Sequence, residues 1–174
     1  EIRLSLVGSE MCIRDSVSQV FTESDLATLP GNLAIGHCRY STTGSSTWVN
    51  AQPTLRPTQY GTLALAHNGN LTNTGDLAEM VEKLEVPAKN ERGATTDTEI
   101  MTALIGLQDE KNVEASALAV LPLLEGAFSL VFMDERTLYA ARDRHGVRPL
   151  VIGKLERGWV VAVSYTHLTL PTKA

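Results

Sequence analysis

Residues 127–163 read AFSLVFMDERTLYAARDRHGVRPLVIGKLERGWVVAV, and the fold class turns on them. Four short runs rich in β-branched and aromatic residues, Ala127 to Met133, Leu138 to Arg142, Pro149 to Ile152 and Trp159 to Val163, are separated by turn residues such as Asp134-Glu135 and His145-Gly146. Upstream of them the period is helical. Strands that follow a run of helices predict an α+β domain with antiparallel sheets, and argue against a doubly wound parallel one.

Moving outward, a helix is expected from about Val113 to Leu123, with Pro122 marking its end. Thr96-Asp97-Thr98-Glu99 has capping-box spacing and opens a helix carrying Ile100, Met101, Leu104 and Leu107. Leu77, Met80, Val81 and Leu84 fall at i, i+3, i+4 and i+7, which predicts another helix with Thr74 as its N-cap and Pro87 beyond its end. Before that, Leu63 to Ala66 reads as a strand ending in His67-Asn68-Gly69-Asn70, and Leu33 to Cys38 as a buried strand. The stretch from Thr42 to Tyr60 is rich in Ser, Thr, Pro and Asn without a period, and reads as a long functional loop.

The two ends differ from this middle. Residues 1–16, EIRLSLVGSEMCIRDS, and the close of the chain at 163–174, VSYTHLTLPTKA, show no period with a matching cap. They resemble translated adapter or vector sequence and are expected to be a non-native leader and tail, leaving residues 17–162 as the native portion. The whole chain of 174 residues suits one domain. With 15 basic and 20 acidic residues its net charge is −5, which argues against a nucleic-acid or anionic-membrane partner. No apolar run is long enough to span a bilayer, and charges at Glu1, Arg3, Glu10, Arg14 and Asp15 exclude a signal peptide. Two cysteines, Cys12 and Cys38, make neither a disulfide framework nor a metal-ligand spacing, so a reducing cytoplasmic setting is expected.

Four segments carry candidate chemistry: Gly36-His37-Cys38-Arg39-Tyr40-Ser41-Thr42, His67-Asn68-Gly69-Asn70-Leu71, Thr96-Asp97-Thr98-Glu99, and Arg142-Asp143-Arg144-His145-Gly146-Val147-Arg148-Pro149-Leu150. In this order and at these separations they resemble the glutaminase domain of class II (N-terminal nucleophile) glutamine amidotransferases, over nearly all of residues 17–162. The resemblance implies a four-layer αββα sandwich of antiparallel sheets, incomplete at its N-terminus. It assigns Arg39 to the glutamine α-carboxylate, which a guanidinium fork can grip bidentately, and Asp97 to the α-ammonium. It makes the Asn68 side-chain amide and the Gly69 backbone N–H the oxyanion hole, and Thr42 a further glutamine contact.

Each residue also has an ordinary reading. Arg39 could be a surface ion pair, Asp97 an acid complementing a helix dipole, and Asn68-Gly69 a hairpin turn. His37 and His67 read as packed or hydrogen-bonded histidines, and Asp143 with Arg144 or Arg148 as a structural ion-pair network. The family's nucleophile is an N-terminal cysteine whose own α-amino group is the base. Met11-Cys12 imitates its start, but Ile13-Arg14-Asp15-Ser16 supplies neither glycine nor strand pattern, and Cys38 reads as a small buried hydrophobe. The chain as written is therefore expected to lack glutaminase activity.

Within this class, Gly36 to Thr42, Gln52-Pro53 and Leu65 to Leu71 fit the amidophosphoribosyltransferase family best. Tyr40 and Thr43-Gly44 stand where glucosamine-6-phosphate synthases have tryptophan and His-Gly, and asparagine synthetases have a shorter element at His67 to Leu71. The resemblance implies that ammonia from glutamine passes to a second domain and displaces pyrophosphate from phosphoribosyl pyrophosphate, giving 5-phosphoribosylamine for purine synthesis. It places Mg²⁺ and an iron–sulfur cluster in that C-terminal domain, not here, and implies a homo-oligomeric whole enzyme. A non-catalytic glutamine-binding module that kept Arg39 and Asp97 is the reading from another class.

Overall fold

The computed structural model describes residues 24, 27–28, 31–37, 51–84, 96–156 and 158–163. The elements run β1 (Thr54–Thr58), β2 (Gly61–Leu71), α1 (Thr74–Lys83), α2 (Asp97–Leu107), α3 (Val113–Val120), a 3₁₀ turn (Leu121–Leu123), β3 (Gly126–Met133), β4 (Leu138–Arg142), β5 (Val151–Leu155) and β6 (Gly158–Ala162). Strands β1 to β4 form one antiparallel sheet in that order, and β5 and β6 form a two-stranded ribbon. The antiparallel α+β architecture expected from residues 127–163 is what the chain adopts.

Strand alternation sorts the sheet's side chains into two faces. Leu63, Leu65 and Leu71 of β2 and Phe128, Leu130 and Phe132 of β3 pack against Leu77 and Val81 of α1, Ile100, Met101, Leu104 and Ile105 of α2, and Val113, Ala117 and Val120 of α3. Ala64, Ala66 and Met133 point the other way and pack with Ile35, Leu33, Val131 and Leu138. One face thus carries a helical layer, and the other is a second apolar surface.

Helix α2 starts where the sequence places it. Thr96 has extended backbone and its hydroxyl accepts the Glu99 N–H at 3.2 Å. Asn112 does the same for Ala115 at the start of α3 (2.8 Å), and α3 gives way to the 3₁₀ turn at Pro122. The cap of α1 is one residue earlier than expected, at Asn73. Its amide does not cap the helix; it donates to Leu123 O and accepts from Glu125 N, tying the helix start to the turn before β3.

Three expectations change. Residues 31–37 form no strand, although Ile35 is buried, because an apolar run signals burial and not a ladder partner. The supposed loop 42–60 contains β1, an edge strand that tolerates Pro57 because one side of it bonds no neighbour. Strand β2 does not end at Ala66: it continues through His67-Asn68-Gly69-Asn70 to Leu71, so Asn68-Gly69 is mid-strand and not a turn.

Candidate active site

The site forms where β2 outruns β1. Thr54 pairs with Leu65, and from there to Leu71 no strand among the described residues lies on the β1 side of β2. Parity fixes which backbone groups face that open edge. Phe128 N donates to Asp143 Oδ2 (3.2 Å) and Phe128 O accepts from Asp143 N (2.9 Å), so both point towards β4. Its cross-strand partner Gly69 is then in a non-hydrogen-bonded position towards β3, and the Gly69 N–H faces the open edge. The same parity applies to His67 and Leu71. The His67 N–H donates to Gln52 Oε1 at 2.6 Å, and the Leu71 N–H faces the Asp97 carboxylate closely enough to lower its pKa. Gly69 lies between them.

Gly69 must be glycine for a reason apart from chemistry. Its φ is 153°, and a Cβ there would run into the Ala127 carbonyl oxygen and the Phe128 Cα of β3. Gly126, two residues along the facing strand, is constrained in the same way against Asn70 and Leu71. The two strands thus approach closely at the end of β2 that carries the site.

Asn68 lies on the opposite face from the helices, continuing Ala64 and Ala66. Its cross-strand neighbour Ser129 is fully buried, and the single Ser129 hydroxyl proton lies within reach of the Pro149 carbonyl (3.0 Å) and, more distantly, that of Arg148 (3.3 Å). The segment after β4 therefore crosses the sheet beside Asn68, a proximity that sequence reading missed.

Asp97 is the first residue of α2, where the helix N-terminus favours negative charge. Its Oδ1 accepts the Thr98 N–H at 2.8 Å, and its Oδ2 lies 3.4 Å from His67 Nδ1. Burial pushes the Asp97 pKa up, but the His67 contact and the Thr98 and Leu71 N–H groups outweigh it, so the carboxyl stays below its ordinary range. The side chain is still 23% exposed, which leaves it open to an ammonium beside these donors.

A hydroxyl relay sets α2 against the sheet. Thr102 Oγ1 donates to Thr98 O (2.8 Å), which leaves Thr54 Oγ1 as donor in its 2.5 Å contact with Thr102. Two hydroxyl protons cannot serve three acceptors, so the 3.2 Å approach of Thr54 Oγ1 to Leu65 O is the weaker partner.

The structure brings Asn68, Gly69 and Asp97 to one end of β2, joined by His67, a packed and hydrogen-bonded histidine as expected, and by Gln52, to which sequence reading had given no structural role. Arg39, Thr42, Cys12 and Cys38 lie outside the described residues. The expected ion pairs of Asp143 are absent among the described residues. Its carboxylate instead accepts backbone N–H groups from Phe128, His145 (2.9 Å) and Val147 (3.3 Å), folding the turn around itself. Burial works to raise its pKa, but those N–H groups and that of Arg148 hold it below the usual carboxylate range. Among the described residues, no group of three or more His, Cys, Asp or Glu is placed to hold a metal ion.

An antiparallel α+β domain with free amide donors beside a helix-capped carboxylate has what is needed to hold an amino acid and polarise an amide carbonyl. Residues 37–169 match the glutamine amidotransferase domain family, and the chain belongs to it. It is 55% identical over 150 residues to the amidophosphoribosyltransferase of Mycobacterium leprae, covering 84% of this chain and 27% of that protein. It is 49% identical over 147 residues to the amidophosphoribosyltransferase of Synechocystis, covering 80% and 28%. The solved glutamine phosphoribosylpyrophosphate amidotransferase from B. subtilis superposes with a TM-score of 0.64 at 33% identity, over 74% of this chain and 27% of that one. The chain thus spans about a quarter of the length of these relatives. No helix among the described residues is long and apolar enough to cross a membrane.

Proposed function

We propose that this chain is the glutamine-handling part of an amidophosphoribosyltransferase. The observation that carries it is the edge of β2, where the Gly69 N–H stands between the Gln52-bound His67 N–H and the Leu71 N–H that faces Asp97. Asp97 takes the α-ammonium of glutamine, and Arg39 and Thr42 take its other end groups. The Gly69 N–H and the Asn68 amide stabilise the oxyanion formed when the side-chain amide is attacked. Donors fixed in place before reaction are worth roughly 3–4 kcal/mol each to such a transition state. In the whole enzyme the released ammonia displaces pyrophosphate from phosphoribosyl pyrophosphate to give 5-phosphoribosylamine. That step, its Mg²⁺, any iron–sulfur cluster and homo-oligomeric assembly belong to the full-length cytoplasmic protein. The 55% identity to the mycobacterial amidophosphoribosyltransferase favours this acceptor over those of other glutamine amidotransferases.

With Asp97 as its ammonium ligand, the site binds L-glutamine. Calorimetry with L-glutamine tests the binding. Asp97→Asn should weaken it about 10- to 100-fold, the scale of a charge-assisted hydrogen bond. Undiminished binding by that variant would remove Asp97 from the site.

A further inference from the structure

The site leaves one buried polar group unaccounted for. His67 sits on the helical face of β2 and is only 5% exposed. Its backbone N–H is held by Gln52, and its Nδ1 lies 3.4 Å from Asp97 Oδ2. Its Nε2 is buried with no hydrogen-bond partner among the described residues. A neutral imidazole carries one ring proton. An N–H buried without an acceptor is rarer and costlier than a bare lone pair, so the proton belongs on Nδ1, facing the carboxylate.

The Asp97 carboxylate is therefore held from two sides. The Thr98 N–H fixes Oδ1 and the His67 ring faces Oδ2, while the threonine relay holds the start of α2 at its distance from β2. The Thr98 N–H and hydroxyl lie on Oδ1 and the Leu71 N–H also faces the carboxylate, so the ring is what supplies a side-chain donor to Oδ2. We propose that His67 is a positioning residue for the glutamine site: its Nδ1–H orients Asp97 Oδ2 so that the carboxylate meets the α-ammonium of glutamine. This rests on Asp97 being the ammonium ligand. It makes His67 a selector for amino acids over their deamino counterparts, although it touches neither.

The test uses the full 174-residue chain, with calorimetric binding of L-glutamine and of 4-carbamoylbutanoate, which is glutamine without its α-amino group. His67→Leu removes the ring donor, whereas His67→Asn keeps an N–H where Nδ1 stands. Circular dichroism confirms that each variant is folded. His67→Leu should lose about 10- to 100-fold in affinity for glutamine, the scale of a charge-assisted hydrogen bond, and leave 4-carbamoylbutanoate nearly unchanged. His67→Asn should restore most of the preference for glutamine. Equal losses for both ligands, or a folded His67→Leu chain that binds both as before, would overturn the proposal, as would a folded His67→Asn chain without rescue. Asp97→Asn separates the two layers: if it retains the preference for glutamine, the ammonium assignment itself fails. If it loses that preference while His67→Leu keeps it, only the positioning role fails.

Discussion

Gly69 shows how one residue can serve two demands. Its backbone N–H faces the open edge of β2, and its missing side chain lets β3 approach where a Cβ would strike the Ala127 carbonyl. Gly69→Ala therefore combines a backbone clash with a positive φ, and should cost about 2–4 kcal/mol in urea denaturation. Gly75, in the first turn of α1, is the control: a Cβ there meets nothing within 4 Å. Gly75→Ala should be neutral or stabilise by up to about 1 kcal/mol. Equal effects at the two positions would refute the close approach of β2 and β3. Asn68-Gly69 has the letters of a hairpin turn, and nothing local contradicts that. The strand that crosses it lies some sixty residues away in Ala127 to Ser129, where no local reading reaches.

At the scale of elements, the well-placed ones are those whose signals are local. The start of α2 was legible because Thr96 and Glu99 meet within one turn; the Asn112 cap of α3 came only from the structure. Strand β1 was not legible, since Thr-Leu-Arg-Pro-Thr has no run of apolar residues, contains a proline, and gains strand structure from pairing with β2. The docking of α2 on β1 depends on the buried Thr54–Thr102 contact, which joins residues 48 apart in sequence. Thr102→Val should cost about 1 kcal/mol by leaving one buried hydroxyl with a poorer acceptor, while Thr54→Val with Thr102→Val should cost less than the sum of the singles. Additive losses in a double-mutant cycle would show that the two hydroxyls do not form a relay.

For the molecule as a whole, acid stability follows from two carboxylates, Asp97 and Asp143, whose pKa values are both depressed in the folded chain. Such a group binds protons less readily when folded than when unfolded, so its stabilisation is present above the ordinary carboxylate pKa and lost as pH falls through the folded value. His67 is the titratable neighbour of Asp97, whereas Asp143 is surrounded by backbone N–H groups. Urea midpoints should be flat from neutrality to about pH 5 and fall below about pH 4. Asp143→Asn should lower the midpoint at neutral pH and make the acid limb shallower; an unchanged limb would rule out that linkage. By itself the sequence determined the α+β class, the three helices, the later strands and the set of motifs that marks a glutamine amidotransferase domain, because periodicity, caps and motif order are properties of neighbouring residues. Only the tertiary structure decided that β2 runs past β1 to leave an amide edge, that Asn68-Gly69 is strand and not turn, that Asp143 binds backbone and not arginine, and that His67 meets Asp97. Each of these is a pairing between segments distant in sequence, and such partners are chosen by packing and by the geometry of the sheet.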